Sequence, residues 1–124
     1  MAIQVVTTEQ STLFTIRTKH TTYQMKADEY GVLLHLWYGA SVEGDMSYLL
    51  DYPDVGFSGN LYEAENRRTY SLNTLPLEYA TEGVGDFRIP AVAATHADGS
   101  NALDLRYQSY NILKGKYAIA GLPA

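Results

Sequence analysis

Two neighbouring stretches of the chain alternate with a period of two. In residues 13–18, Phe14 and Ile16 fall opposite Thr15 and Arg17, and in residues 22–27, Tyr23, Met25 and Ala27 fall opposite Thr22, Gln24 and Lys26. Successive side chains of a strand point to opposite faces, so this pattern builds a half-wet sheet and would scatter its apolar residues around a helix. Lys19 and His20 mark the turn between the two runs, and Asp28-Glu29-Tyr30-Gly31 closes the second, with Gly31 able to supply a positive φ. A third run, Val32 to Tyr38, is apolar on both faces except for His35, which predicts a strand in the middle of a sheet covered on each side. The three form an antiparallel meander. Eleven tyrosines and frequent threonines reinforce the all-β reading, because aromatic and β-branched side chains pack well on a pleated surface.

Residues 39–90 read differently. Pro53, Pro76 and glycines at 44, 56 and 59 interrupt every period. Excursions longer than about 12–15 residues are uncommon in compact domains and are usually functional or docked, so this long central loop calls for a partner surface. Residues 91–124 are expected to resume as hairpin strands: Ala91 to Ala97, a turn at Asp98-Gly99, Leu103 to Leu113, a turn at Lys114-Gly115-Lys116, and Tyr117 to Ala120. The final Gly121-Leu122-Pro123-Ala124 looks like a cut rather than an ending.

Length and charge narrow the function classes. The 124 residues suit a single domain, and they exclude an eight-stranded β/α barrel, which needs roughly 250. Fourteen acidic against nine basic side chains give a net charge of −5, which argues against a phosphate-backbone binder, so no nucleic-acid partner is expected. The absence of cysteine removes disulfides, thiolate nucleophiles and thiolate zinc sites. Residues 1–6 do not resemble a secretory leader and no apolar run has the length of a membrane span, so the expectation is a cytoplasmic protein with no membrane partner.

Several constellations could carry chemistry. His20, His35 and His96 are too far apart in sequence to form a local metal pair, and their ordinary reading is one turn and two strand histidines. No serine-nucleophile elbow or phosphate loop occurs, and Gly83-Val84-Gly85 reads as a turn. The sequence therefore calls for no cofactor and no metal. Asp45, Asp51, Asp54 and Asp86 are available for a carboxylate pair, but spacing does not bring any two together, and loop carboxylates are mostly solvated. Arg67-Arg68 follows Glu63 and Glu65; a planar guanidinium suits carboxylates and sugar hydroxyls, and the plainer alternative is a surface ion pair of little worth. The tyrosines and Trp37 could stack sugar rings or simply fill a core with their hydroxyls at its rim.

The run Tyr70-Ser71-Leu72-Asn73-Thr74-Leu75-Pro76-Leu77-Glu78-Tyr79, followed by Gly85-Asp86-Phe87-Arg88-Ile89-Pro90-Ala91, resembles the N-terminal domain of the α-galactosidases of glycoside hydrolase family 36. Tyr30 to Gly39, Asp98-Gly99-Ser100, Leu105-Arg106-Tyr107, Lys114-Gly115-Lys116 and Gly121 to Ala124 follow the same order. The resemblance implies an antiparallel β-sandwich that precedes a catalytic barrel, here partial and without the barrel. Family members are retaining enzymes that release terminal α-linked galactose from melibiose, raffinose and related galactosides, using two barrel aspartates. This chain alone is expected to be inactive.

In tetrameric members the long loop reaches a neighbouring subunit's active site, where an aspartate and an arginine bind galactose. Motif matching carries these roles to Asp54, in Asp54-Val55-Gly56-Phe57-Ser58, and to Arg68, before Thr69-Tyr70-Ser71-Leu72. The family pattern often has a basic residue where Val55 stands and an aspartate where Asn73 stands. The resemblance thus implies a non-catalytic segment of an α-galactosidase whose partners are galactosides, the rest of the enzyme and its neighbouring subunits. The alternative is a free-standing carbohydrate-binding or protein-interaction module that uses its tyrosine-rich faces. As a partial sandwich the chain is also expected to expose strand edges and to self-associate.

Overall fold

In the computed structural model, residues 2–56, 59–115 and 118–122 are described. The fold is all-β and antiparallel, with almost no helix. Four strands, β1 (Ala2–Thr7), β2 (Thr12–Arg17), β3 (Thr21–Ala27) and β4 (Leu33–Ala40), form one sheet in the order β1-β2-β3-β4. Two short 3₁₀ turns follow, Met46–Leu49 and Tyr62–Ala64. Among the described residues the sheet has no second sheet facing it; its two faces are covered by the long loop and by the carboxy-terminal segment. No helix among them is long and apolar enough to cross a membrane.

The first two turns use the same device. Thr8 Oγ1 accepts the Ser11 amide at 3.1 Å and Thr18 Oγ1 accepts the Thr21 amide at 3.0 Å, so a threonine hydroxyl closes each hairpin. The third turn is held by Asp28. Its Oδ1 accepts the amides of Tyr30 and Val32 at 2.9 and 3.0 Å, while Gly31 takes the expected positive φ, 74°. The strand β1 precedes the two alternating runs and pairs with β2 from Ala2↔Arg17 to Thr7↔Thr12. Its side chains are mostly exposed, so burial imposes little pattern on its sequence.

Two expectations need correction. Residues 32–38 read as a central strand, yet β4 is last in the sheet. Its cover is supplied by loop rather than by another strand: the His35 amide donates to Pro76 O at 2.7 Å, and the Glu78 amide to Leu33 O at 3.0 Å. Residues 91–97 and 103–113 were expected as hairpin strands, but none of the described residues there joins a strand ladder. The Asp98-Gly99 turn does form, with the Gly99 amide donating to His96 O at 2.9 Å. The flanking donors are spent elsewhere, Leu103 N on Glu82 O and Tyr107 N on Gly31 O. Residues 105–112 cross the face of the sheet instead, and Tyr107 and Tyr110 meet Phe14 edge-on at 5.7 and 5.4 Å between ring centroids. Of the expected last turn and strand, Lys116 and Tyr117 lie outside the described residues, as do Pro123 and Ala124.

The core explains why the central loop is ordered. Val32 and Leu34 of the sheet meet Leu61, Ala64, Tyr70, Leu72 and Leu75, so most of the buried cluster comes from residues 61–75. Tyr70 is 1% exposed and donates its hydroxyl to Asp28 Oδ2 at 2.5 Å, which welds the loop to the third turn. Burial and the Asp28 carboxylate push the Tyr70 phenol far above its ordinary value, so it stays a donor at any working pH. A second clamp lies in the Gly-Asp-Phe-Arg element. Arg88 grips Asp86 through Nε and Nη2 at 2.9 and 3.0 Å, and the same Nη2 donates to Leu72 O and Leu75 O at 2.7 and 2.8 Å.

Two outcomes follow from these clamps. Tyr70→Phe leaves a buried carboxylate oxygen without its donor and should cost about 1–3 kcal/mol in urea denaturation. Arg88→Ala leaves the Asp86 carboxylate, 1% exposed, without its cation and should cost about 3 kcal/mol. A denaturation midpoint unchanged from the parent would refute either assignment.

Candidate functional site

Asp54 and Arg68 stand on separate turns of the central loop, and the fold brings them together. The Arg68 Nε donates to Asp54 Oδ1 at 3.0 Å, with the two side chains 67% and 52% exposed. Such an open ion pair adds little to the stability of a fold. What it offers is an arrangement of polar groups. Among the described residues the pair's hydrogen bonds use only Nε and Oδ1, and a guanidinium and a carboxylate have further donors and acceptors of the kind that adjacent hydroxyls bind.

Each partner is fixed from behind. Asp54 Oδ1 also accepts the Gly56 amide at 3.1 Å, a turn that sets the carboxylate's direction. That amide first, and the Arg68 guanidinium after it, hold the Asp54 carboxyl below its ordinary 3.8. Phe57 and Ser58, the end of the matched aspartate element, lie outside the described residues. Arg68 follows a turn in which Glu65 has φ 47° and ψ −116°, the single non-glycine positive φ among the described residues. Backbone of this kind costs about 1–3 kcal/mol and persists where the surroundings enforce it.

The neighbouring arginine points the other way. Arg67 donates to Glu29 Oε1 at 2.9 Å, and its guanidinium carbon lies 4.7 Å from the Tyr52 ring centre and 5.3 Å from that of Tyr70. Sequence reasoning treated Arg67-Arg68 as one feature; the structure divides it into an inward and an outward cation. Tyr70, three residues after Arg67, is the one local signal, since arginine stacks on such rings, whereas Tyr52 lies 15 residues before it.

The remaining candidates have local duties. Asp45 caps the 46–49 turn through the Ser47 amide at 2.8 Å, Asp86 serves Arg88, and Asp51 is exposed. None of them joins Asp54 as a carboxylate pair among the hydrogen bonds described. His20 sits in the β2–β3 turn, and the His96 ring contacts Ala102 O at 2.8 Å. His35 Nδ1 meets Glu78 Oε1 at 2.9 Å, while Tyr23 donates its hydroxyl to the other oxygen of Glu78. Burial and that carboxylate push the Tyr23 phenol well above its ordinary value. Among the described residues no three His, Cys, Asp or Glu side chains are grouped to hold a metal ion. Trp37 donates its indole N–H to Ala40 O at 3.1 Å. The tyrosines are split: Tyr70 is in the core, whereas Tyr38, Tyr48, Tyr62 and Tyr79 are 61–95% exposed and belong to different segments.

The Asp54 carboxyl gives a direct check on the pair. Because its folded value is depressed, its contribution to stability is present above the ordinary carboxylate range and fades as pH falls through the folded value. Carbon-13 NMR titration should find Asp54 below 3.8. In Arg68→Ala it should rise part of the way and stay depressed by the Gly56 amide; identical titrations in the two proteins would show that no contact exists.

Comparison with known proteins completes the description. The glycosyl hydrolase family 36 N-terminal domain matches residues 31–124. The chain is 50% identical over 112 residues to the bifunctional α-galactosidase/sucrose kinase AgaSK of Mediterraneibacter gnavus, a match that takes in 90% of this chain and 12% of that protein. Its structure superposes on the galactosidase domain of an α-galactosidase-sucrose kinase, AgaSK, with a TM-score of 0.93 and 47% identity, covering 99% of this chain and 17% of the other. It also matches a variant of the family 36 α-galactosidase AgaA of Geobacillus stearothermophilus in complex with raffinose. There the TM-score is 0.81 at 36% identity, over 90% of this chain and 16% of that one. The chain thus spans about an eighth of the length of the curated relative it matches.

Proposed function

This chain belongs to glycosyl hydrolase family 36, within the N-terminal domain, and from that membership we propose that it is the non-catalytic N-terminal segment of an α-galactosidase. In this reading the enzyme releases terminal α-linked galactose from oligosaccharides such as raffinose. The segment contributes contacts between subunits and presents Asp54 and Arg68 to the active site of a neighbouring subunit in a tetramer. The observation that carries the reading is the pairing of these two side chains. Residues 14 positions apart, singled out by motif, meet at 3.0 Å on an exposed turn where an ion pair does little for stability.

The chemistry fits recognition rather than proton transfer. A depressed aspartate is ionised at neutral pH and accepts from sugar hydroxyls, and the planar guanidinium donates to them. Once a neighbour's pocket excludes water, each charged hydrogen bond is worth roughly 1.5–3 kcal/mol. Asn73, where the family often has aspartate, accepts the Phe87 amide through Oδ1 at 2.8 Å, a bond either residue can make.

The test is a graft. This chain replaces the matching segment of the M. gnavus enzyme, and raffinose hydrolysis is followed. Arg68→Ala and Asp54→Ala should each raise KM about tenfold or more and leave kcat less affected, as loss of ground-state and transition-state binding together predicts. Kinetics equal to the parent graft would remove the recognition role. The isolated chain should show no saturable binding of galactose, melibiose or raffinose, because half the site is on another subunit; a saturable isotherm would instead favour a free-standing carbohydrate module built on the exposed tyrosines.

A further inference from the structure

We propose that Arg67 is the positioning residue for Arg68, holding the outward arginine against Asp54 by anchoring the 65–69 turn that carries it. The inference rests on the reading that Asp54 and Arg68 contact substrate, and it adds a residue that neither touches substrate nor belongs to the pair.

The backbone of Arg67 is secured on both sides. Its amide donates to Ala64 O at 2.9 Å, and its carbonyl accepts the Tyr70 amide and the Asn60 side-chain amide, each at 2.9 Å. The Arg68 amide donates to Asn66 O at 2.8 Å, which makes Arg67 the centre of a three-residue turn. Side chains leaving consecutive residues of such a turn diverge. With Arg67 directed inward, Arg68 is directed outward.

The side chain of Arg67 supplies the anchor. Its guanidinium lies over the rings of Tyr52 and Tyr70, which stack on each other at 6.3 Å with 24° between planes. The Glu29 carboxylate at 2.9 Å completes the seat. Tyr70 is itself immobilised by Asp28, and Glu29 is the next residue of the same turn. The cation is therefore referenced to the sheet. Tyr52 stands two residues before Asp54, so one guanidinium contacts the segments that carry both halves of the pair. The strained Glu65 backbone lies two residues before this anchor, and a turn under strain relaxes when the contact enforcing it is lost. Without Arg67 the 65–69 turn has no charged tie to the sheet, and Arg68 is free to leave Asp54.

Two measurements test this. In the chain itself, Arg67→Ala should move the NMR titration of Asp54 upward by as much as Arg68→Ala does, although Arg67 makes no hydrogen bond to Asp54 in the structure. An Asp54 titration unchanged in Arg67→Ala overturns the proposal whatever the enzyme does. Should Arg67→Ala fail to fold, Glu29→Gln removes the ion pair while keeping the rings, and it should give a smaller shift in the same direction.

In the graft, Arg67→Ala should raise KM for raffinose several-fold with kcat within twofold, and should add nothing in an Arg68→Ala background. An equal rise in KM with and without Arg68 would overturn the proposal, since it would show Arg67 acting by another route. A normal KM in Arg67→Ala beside a raised KM in Arg68→Ala would also overturn it, while leaving the substrate role of Arg68 in place. If Arg68→Ala itself leaves KM unchanged, the substrate reading fails, and the Asp54 titration alone decides whether Arg67 positions the pair.

Discussion

The hydrogen bond between Asp28 and Tyr70 is a buried polar tie between the four-stranded sheet and a loop with hardly any ladder of its own. An antiparallel meander with one face bare would be marginal in water. The loop covers that face with Leu61, Leu72 and Leu75, but it can hold its place only if its polar backbone and side chains are satisfied. Asp28 does this from the sheet side: one oxygen closes the β3–β4 turn through two amides and the other receives the buried phenol. A carboxylate 8% exposed is costly to bury, and three donors offset that cost. The sheet's turn and the loop's core therefore form together.

From Tyr70 the same constraint runs to the surface. Its ring meets Tyr30 edge-on at 4.8 Å and stacks with Tyr52, and Arg67 lies over the Tyr52 and Tyr70 rings. Arg106 adds a tie from the far end of the chain, donating to Tyr30 O at 2.6 Å while its guanidinium also holds Asp104. Core, aromatic cluster and exposed pair are thus consecutive layers of one packed unit. Asp54 and Arg68 sit at the outer edge of this unit, so the proposed recognition pair is carried on a packed base.

How much of this the sequence discloses varies with the strength of the local rule. The alternation in residues 13–27 makes β2, β3 and their turns legible, but its polar side is not wet: Thr15, Thr22 and Gln24 are 4%, 0% and 1% exposed, and Gln24 is satisfied there by Thr15 Oγ1, Gly44 O and the Met46 amide. β1 is exposed along its length and carries no such signature. The run 32–38 is apolar on both faces, and loop residues with no period of their own bury Val32, Leu34 and Leu36 while Tyr38 stays 70% exposed; a central strand and a loop-covered edge look alike. Ala91–Ala97 and Leu103–Leu113 carry strand-like composition and a good turn, yet a ladder needs a partner edge, and their donors go to the 31 and 82 carbonyls. Asp54 and Arg68 became legible only by likeness to a family. Their meeting, and the opposite direction taken by Arg67, depend on contacts across 14 to 38 residues that no local pattern encodes.

The two specific sequence elements also differ in what they are for. Gly85-Asp86-Phe87-Arg88 explains itself inside this chain: the Arg88 fork neutralises a buried aspartate and ties up two carbonyls of the 72–75 turn. Removing it would be felt in stability. The Asp54–Arg68 pair has the opposite profile. Two side chains more than half exposed, joined by one hydrogen bond, gain little from each other in water, where side-chain entropy and screening offset the attraction. A strained Glu65 backbone, the Asp54–Gly56 turn and the seat of Arg67 surround the pair. Two side chains that gain so little from each other in water gain more where water is excluded, because charged hydrogen bonds strengthen as the dielectric falls, and that is the setting the proposed recognition role requires.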